Sequence, residues 1–164
     1  MRQISVIGDS EANSYAVLLA EQVGSLLASL RCAVVTGGRD GIMEAANKGA
    51  FQAGGLSIGI LPSESFSQAN KYCHIVIPTG MGHARNALTA MACDAIVAIG
   101  GGAGTLSEIC FSWIYKKPIF VFPQFGGWAE KTAYSKIDGR NNQEIIACAS
   151  VEDLTFKLKS LFMH

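Results

Sequence analysis

The chain has 164 residues and a mass of 17.4 kDa, which is the size of one ordinary domain. Hydrophobic residues make up 49% of it and charged residues 16%, a balance opposite to that of a disordered chain. Thirteen basic and thirteen acidic side chains cancel, with no block of like charge. This excludes the charge pattern of a nucleic-acid-coating protein or a polybasic membrane binder.

In chain order, short apolar runs alternate with longer stretches of helical spacing. Strands are predicted at residues 4–7, 33–36, 56–61, 74–77, 95–99 and 119–122, with a weaker one at 145–148. Helices are predicted at residues 12–30, 41–53, 82–93, 105–115 and 151–162. The strand runs are apolar on both faces, as in central strands of a parallel sheet. The pattern predicts an α/β protein with a doubly wound, mostly parallel sheet flanked by helices, a single domain over residues 1–164.

Two segments outside this alternation carry local predictions. Residues 123–142 form one extended irregular stretch, in which Gly126-Gly127-Trp128 could make an aromatic flap or simply cover the sheet edge. Ser150 is the expected N-cap of the last helix. No apolar run approaches the length of a bilayer span, and the N-terminus lacks a signal-peptide pattern. We therefore expect a cytoplasmic protein without a membrane partner.

Cysteine and histidine usage argues against a metal held directly by the protein. The five cysteines are scattered, odd in number and without a C-x-x-C pair, so free thiols acting as small hydrophobic groups are expected. The three histidines, His74, His83 and His164, have no acidic or thiol partner at metal-ligand spacing. No metal ligands are therefore predicted.

The loops that follow four of the predicted strands are rich in glycine. Because the carboxyl ends of parallel strands meet at one edge of the sheet, these loops should lie together and form a ligand site. Glycine lets a ligand approach the backbone, and a helix that starts after such a loop offers free N–H groups to an anion. We predict phosphate or nucleotide binding there by Gly8, Ser10, Gly37, Gly38, Thr79, Gly80, Met81, Arg85, Gly100, Gly101, Gly102, Gly104 and Thr105.

Familiar nucleotide motifs fit this pattern poorly. Residues 102–107 begin like G-x-G-x-x-G but end in serine, and the second strand runs into Thr36-Gly37-Gly38 with no acidic residue placed to hold a ribose. No G-K-[ST] follows any glycine loop. NAD binding and ATP hydrolysis are therefore disfavoured.

Two charged residues near the glycine loops have competing interpretations. Glu108 lies three residues after Thr105, and this spacing predicts either a helix capping box or a functional carboxylate. Arg85 lies where a helix is expected to begin, and a cation there opposes the helix dipole. It indicates a bound anion or a carboxylate partner, unless it is a solvated surface arginine.

Other polar residues are weaker candidates. Asp94 is expected to cap or turn the chain. Ser10 and Thr105 could bond phosphate oxygens or serve as N-caps. His83 is a candidate proton carrier or an ordinary half-exposed histidine, and Arg39 and Asp40 could simply pair with each other.

Arg85, Asp94 and residues 101–108 (GGAGTLSE) resemble the pattern of the "Lonely guy" family, once labelled possible lysine decarboxylases. The resemblance runs from Ile4 to about Pro123, and it implies a Rossmann-like nucleotide-binding fold. It also implies phosphoribohydrolase activity on cytokinin or adenosine 5′-monophosphates. Arg85 and Glu108 would then be the catalytic pair. Residues 101–105 would hold the 5′-phosphate.

Three departures bring the chain closer to the molybdenum cofactor carrier proteins, which share this fold but do not turn their ligand over. Gly100 stands where the family has a proline before the glycines, and Asn86 stands where it has a lysine after the arginine. Residues 80–84, just before Arg85, also differ from the family's pattern. The resemblance thus implies a carrier of the molybdenum cofactor, a pterin phosphate held as cargo. The phosphoribohydrolase and a regulatory nucleotide-sensing module are the alternatives. Lysine decarboxylation is not expected.

The resemblance also implies association of copies and molybdoenzyme clients. Phe111, Trp113 and Tyr115 offer more aromatic surface than a small sheet covers, and related proteins are dimers or tetramers. A homodimer or homotetramer is therefore expected. The plainer alternative is that Trp113 packs on the sheet.

Overall fold

The computed structural model describes residues 1–162, so His164 lies outside the described residues. Its centre is a seven-stranded sheet in the order β4-β3-β2-β1-β5-β6-β7, with every neighbouring pair parallel. The strands are β1 Gln3–Gly8, β2 Ala33–Thr36, β3 Ser57–Leu61, β4 Ile75–Pro78, β5 Ala95–Ile99, β6 Ile119–Phe122 and β7 Ile146–Ala147. This confirms the predicted fold class.

Six α-helices flank the sheet within residues 1–162. They are α1 Ser14–Ser29, α2 Ile42–Gln52, α3 Asn86–Met91, α4 Ala103–Ile114, α5 Gly127–Thr132 and α6 Val151–Phe162. Three 3₁₀ turns lie at Phe66–Gln68, Gly82–Arg85 and Pro123–Phe125. Asn13 caps α1 by accepting from the Ala16 N–H at 2.9 Å. The expected cap at Ser150 is also present, since its hydroxyl accepts from the Asp153 N–H at 3.2 Å.

Two buried layers hold the helices against the sheet. One layer contains Ile4, Val97 and Phe120 with the apolar faces of α1, α2 and α6. The other contains Ile96 and Val121 with residues of α4 and α5. Both faces of the central strands are therefore covered, which explains their unbroken apolar sequence.

Helices α1 and α2 pack unusually closely. A Cβ atom at Gly24 would overlap the carbonyl oxygen of Ala46, and one at Gly49 would overlap that of Glu21. Glycine at these two positions lets the helix backbones touch. The ion pair between Lys48 Nζ and Glu21 Oε2, 2.8 Å long, spans the same crossing.

The prediction that every strand is buried on both faces is wrong for β4. Ile75 and Ile77 remain 45% and 43% exposed, because β4 lies at the end of the sheet. The segment that connects it to β3 contains only a 3₁₀ turn rather than a covering helix. The predicted helix at 82–93 is likewise divided into the 3₁₀ turn Gly82–Arg85 and the six-residue α3.

The expectation that residues 123–142 are wholly irregular is also wrong, because α5 lies within them. Gly126 and Gly127 have φ values of 71° and 61°, a conformation that glycine adopts without strain. They turn the chain so that Ala129 is fully buried against the sheet. Trp128 is half-buried and packs against the same layer rather than forming a free flap.

Three findings concern the predictions about membrane spans, cysteines and metal ligands. No helix within residues 1–162 is long and apolar enough to cross a membrane. The five cysteines are free, with Cys32, Cys93 and Cys148 buried and Cys73 and Cys110 half-buried. No group of three or more His, Cys, Asp or Glu side chains with metal-binding geometry occurs in this part of the chain.

Candidate functional site

The strand order reverses between β1 and β5, and a cavity of about 270 Å³ lies at the carboxyl ends of these strands. Such a reversal point is where open parallel sheets bind ligands, because the loops on either side diverge and leave a crevice. The cavity is lined by Ile7, Gly8, Asp9, Ser10, Gly37, Arg39, Met43, His83, Arg85, Asn86, Gly102, Gly104, Thr105 and Glu108.

One wall of the cavity is the N-terminus of α4. Gly102 is the N-cap, and no side chain caps the helix, so the first N–H groups stay available to a ligand. The predicted capping box is therefore wrong. The helix begins at Ala103, two residues before Thr105, and this places Thr105 in the first turn and Glu108 in the second.

Arg85 lines the same cavity and is only 8% exposed. Its Nη1 donates a long hydrogen bond of 3.4 Å to the Thr89 hydroxyl, and its Nε has no hydrogen-bond partner among residues 1–162. Burial lowers the pKa of Arg85, the nearby Arg39 lowers it further, and Glu108 opposes both effects. A buried cation that lines a cavity is a strong site for an anion.

The guanidinium group reaches this position because residue 37 is glycine. A Cβ atom there would overlap Arg85 Nη1, and it would lie 2.6 Å from both Nη2 and the sulfur of Met43. Any larger residue at the end of β2 would push the arginine head away. The glycine of the second loop thus makes room for a side chain of the protein, not only for a ligand.

Glu108 is the second buried ionisable group of the cavity, at 7% exposure. Burial raises its pKa to about 8, against the opposing effects of Arg85 and of a hydrogen bond with Thr89. Arg85 and Glu108 do not form one of the ion pairs present within residues 1–162. At neutral pH the cavity therefore contains a cationic arginine and a protonated carboxyl that can donate a hydrogen bond.

Gly100 and Gly101, which are predicted to contact the ligand, are not among the residues that line the cavity. The Gly101 N–H donates to Asp9 Oδ2 at 2.8 Å. The carbonyl oxygens of Gly101 and Gly100 accept from the N–H groups of Trp128 at 2.9 Å and Ala129 at 3.1 Å. These three polar groups are thus used within the protein, and the lining of this wall begins at Gly102.

Four other predicted residues also lie outside the lining. The Gly38 carbonyl accepts from the Asn70 N–H at 2.8 Å. The Thr79 hydroxyl donates to the Leu61 carbonyl at 2.7 Å and accepts from the Met81 N–H at 3.2 Å. Gly80 takes a φ of 65° in the same turn. These residues, Gly38, Thr79, Gly80 and Met81, shape the loops around β3 and β4.

The structure brings together Gly8, Ser10, Gly37, Arg85, Gly102, Gly104, Thr105 and Glu108 from the predicted set. It adds Asp9, Arg39, Met43 and Asn86, and it places His83 in the lining. Arg39 and Asp40 are not an ion pair within residues 1–162. The position of Asp9 beside Gly8, directly after the first strand, was the one signal in the sequence that could have identified it.

Asn86 and Asp94 have structural partners. Asn86 Nδ2 donates to the Ser107 hydroxyl at 2.9 Å and so connects the start of α3 to the first turns of α4. Asp94 Oδ2 accepts from the Gln3 N–H at 2.8 Å. Asp94 therefore connects β1 to β5 at the edge of the sheet opposite the cavity, in agreement with its predicted local role.

Comparisons with known proteins identify relatives along nearly the whole chain. The molybdenum cofactor carrier protein of Chlamydomonas reinhardtii is 31% identical, with a TM-score of 0.86 and coverage of 99% of both chains. The molybdenum cofactor binding protein of Rippkaea orientalis is 30% identical, with a TM-score of 0.83 and coverage of 98% of this chain and 97% of that chain.

A phosphoribohydrolase is also related to part of the chain. The cytokinin riboside 5′-monophosphate phosphoribohydrolase of Rhodococcoides fascians is 35% identical over 96 residues, which are 55% of this chain and 48% of that protein. The resemblance to both groups that the motif predicted is therefore confirmed. Because the model of the SLOG cluster4 family matches residues 1–155, the chain belongs to that family.

Proposed function

We propose that the protein binds and protects the molybdenum cofactor, a pterin phosphate, as a carrier or storage protein. The observation that carries this proposal is the buried guanidinium of Arg85, which lines the cavity together with the first turn of α4. A phosphate oxygen beside α4 would accept from this group and from the free N–H groups of the helix. The phosphate would thus occupy the floor of the cavity.

The volume of the cavity supports a ligand that extends beyond its floor. At about 270 Å³ it lies near the lower limit for small-molecule sites, about 300–1,000 Å³. A ring system attached to the phosphate would therefore reach the rim, where the exposed residues Arg39 and His83 lie.

The protonation state of Glu108 favours ligand binding over turnover. Cleavage of an N-glycosidic bond develops positive charge on the sugar, and an ionised carboxylate stabilises that charge. Burial raises the pKa of Glu108 to about 8, so near neutrality most of it is protonated and offers a hydrogen bond rather than a negative charge. The other carboxylate of the lining, Asp9, is bonded to the Gly101 N–H.

The second candidate is a nucleoside 5′-monophosphate phosphoribohydrolase. It is favoured by the presence of both Arg85 and Glu108 in one cavity and by the related enzyme of Rhodococcoides fascians. In this function Glu108 would polarise the ribose or position water, and Arg85 would stabilise charge as the base departs. Binding of the substrate would have to lower the pKa of Glu108 for it to act as a carboxylate.

The two functions are separated by measuring turnover and binding on the same preparation. AMP and related monophosphates are incubated with the wild type, Arg85→Ala and Glu108→Ala, and free base is followed by chromatography. A pterin phosphate is titrated into each by calorimetry. We expect no base release, saturable pterin phosphate binding by the wild type, and binding weakened about 100-fold or more in Arg85→Ala.

Base release that both substitutions abolish would instead establish the phosphoribohydrolase and reject the carrier. The exposed Lys136→Ala is the control, because Lys136 lies away from the cavity. Loss of pterin phosphate binding in this variant as well would attribute the effect to charge in general and not to the site.

The proposal includes association of copies in the cytoplasm and delivery of the cargo to molybdoenzyme clients. Trp113 does not contribute to an outer surface, because it is 1% exposed and its indole N–H donates to Asp138 at 2.8 Å. Ile114 and Tyr115 are 44% and 40% exposed at the end of α4, and Phe111 stacks on Tyr115. We expect light scattering to give the mass of a dimer or tetramer, and the mass of a monomer would reject this part.

A further inference from the structure

Asp9 joins three loops at the cavity, although its residue type is unexpected in an anion site. Its Oδ2 accepts from the Gly101 N–H at 2.8 Å, and its backbone carbonyl accepts from the Ile42 N–H at 3.0 Å. The loop after β1 is thereby bonded both to the loop after β5 and to the start of α2. No other residue in the lining of the cavity, as the structure describes it, accepts hydrogen bonds from both the loop after β5 and the start of α2.

The turn that Asp9 contacts has a conformation that requires external support. Gly100 and Gly101 have φ values of 64° and 105°, and both residues are buried. Glycine enters this region without steric cost but also leaves it easily, since it is the least restricted residue. Bonds from outside the turn must therefore select this one conformation.

The bonds come from two sides. Asp9 accepts the N–H of Gly101, and the first residues of α5 donate to the carbonyl oxygens of Gly100 and Gly101. A Cβ atom at residue 100 would lie 2.7 Å from Asp9 Oδ2, so the carboxylate rests directly against the turn. Gly100 stands where the "Lonely guy" pattern has proline, and the φ of 64° explains this departure, because proline is confined to about −65°.

We propose that Asp9 is a positioning residue for the anion site. By accepting the Gly101 N–H it holds the turn before α4 in the conformation that directs the start of that helix, with Thr105, toward Arg85. This inference rests on the proposed function, since it concerns how the same site is shaped for a phosphate-bearing ligand.

The useful feature of Asp9 is its accepting oxygen and not its charge. A carboxylate in the wall repels a phosphate in the cavity, so the charge itself opposes binding. Asparagine retains one oxygen that can accept the same N–H bond and removes the negative charge. Alanine removes both and leaves the buried Gly101 N–H without this acceptor.

The test compares Asp9→Ala and Asp9→Asn with the wild type, and Asp94→Ala is the matched control. Asp94 also accepts a backbone N–H between β1 and β5, at the same 2.8 Å, but at the opposite edge of the sheet. Inorganic phosphate and a pterin phosphate are titrated into each protein by calorimetry, and amide hydrogen exchange at Gly101 is followed by NMR.

We expect Asp9→Ala to bind both probes about 10-fold or more weakly and to exchange the Gly101 amide faster. Asp9→Asn should bind within about 3-fold of the wild type or more tightly, with protection of Gly101 retained. Asp94→Ala should lose stability but keep wild-type affinity. Because this control removes an equivalent bond, a general loss of stability would not reproduce the expected pattern.

Wild-type affinity in Asp9→Ala would overturn the role of Asp9 and leave the proposed function standing. Equal weakening in Asp9→Ala and Asp9→Asn would also overturn it, because asparagine keeps an oxygen that can accept the same bond. A wild-type protein that binds neither probe would overturn the proposed function, and the positioning role with it.

Discussion

Replacing Arg85 with methionine is expected to abolish anion binding while it stabilises the ligand-free protein. The guanidinium is buried and its Nε lacks a partner within residues 1–162, so the ligand-free protein bears the cost of burying a charge. An apolar side chain of similar length removes that cost, which should raise the free energy of unfolding by about 1–4 kcal/mol. The same change removes the strongest donor to a phosphate, so affinity should fall about 100-fold or more.

Urea unfolding and calorimetric titration with a pterin phosphate measure the two effects of Arg85→Met. Gly37→Ala should also weaken binding, because the added methyl group displaces the guanidinium of Arg85 without removing it. Arg39→Met at the exposed rim is the control, with a much smaller loss of affinity. A variant Arg85→Met that is less stable and binds normally would show that Arg85 is purely structural.

Replacing Glu108 with glutamine is expected to remove a pH dependence from both stability and binding. The pKa of Glu108 is about 8 in the folded protein, against 4.5 as its ordinary value. Between these two values the folded state binds more protons than the unfolded state. The free energy of unfolding therefore falls as the pH rises from about 4.5 to 8, by at most about 1.4 kcal/mol per pH unit from this group, and then levels off.

The measurement is urea unfolding of the wild type and Glu108→Gln at pH 5, 6.5 and 8.5. The variant should gain stability relative to the wild type at each step toward higher pH. Phosphate affinity of the wild type should also fall as Glu108 ionises beside Arg85, whereas Glu108→Gln should retain it. Glu144→Gln, at an exposed carboxylate, serves as the control. Parallel stability curves for the wild type and Glu108→Gln would show that Glu108 is ionised throughout this range.

Local sequence patterns predict much of the fold because each of them reports burial. The runs at β1, β2, β5 and β6 are apolar on both faces, and this identifies covered parallel strands without knowledge of their partners. The apolar run at β4 looks the same but lies at a sheet edge, since apolar composition does not report which neighbours are present. Helix α5 escapes prediction because it is short and depends on contacts with Gly100 and Gly101.

The sequence predicts those residues of the candidate site whose type and spacing are informative without knowledge of their neighbours in the fold. The spacing of Arg85 and Glu108 relative to the glycine loop identifies both as cavity residues. The same reasoning included Gly100 and Gly101, which do not line the cavity, because it could not foresee that Asp9 and α5 bond to their backbone groups. A glycine-rich sequence specifies a backbone that can be approached closely, but not whether a ligand or the protein itself approaches it.

The contact of α1 with α2 through Gly24 and Gly49 has a consequence for how a ligand enters. These helices follow the loops after β1 and β2, so two walls of the cavity belong to one block that resists separation. The remaining wall, the 3₁₀ turn Gly82–Arg85 with the six-residue α3, is also tied down, because Asn86 donates to Ser107 of α4 and the Ser5 hydroxyl of β1 donates to the Thr89 carbonyl. A bulky ring is therefore expected to be accommodated at the rim, beside the exposed Arg39 and His83, and not by movement of these helices.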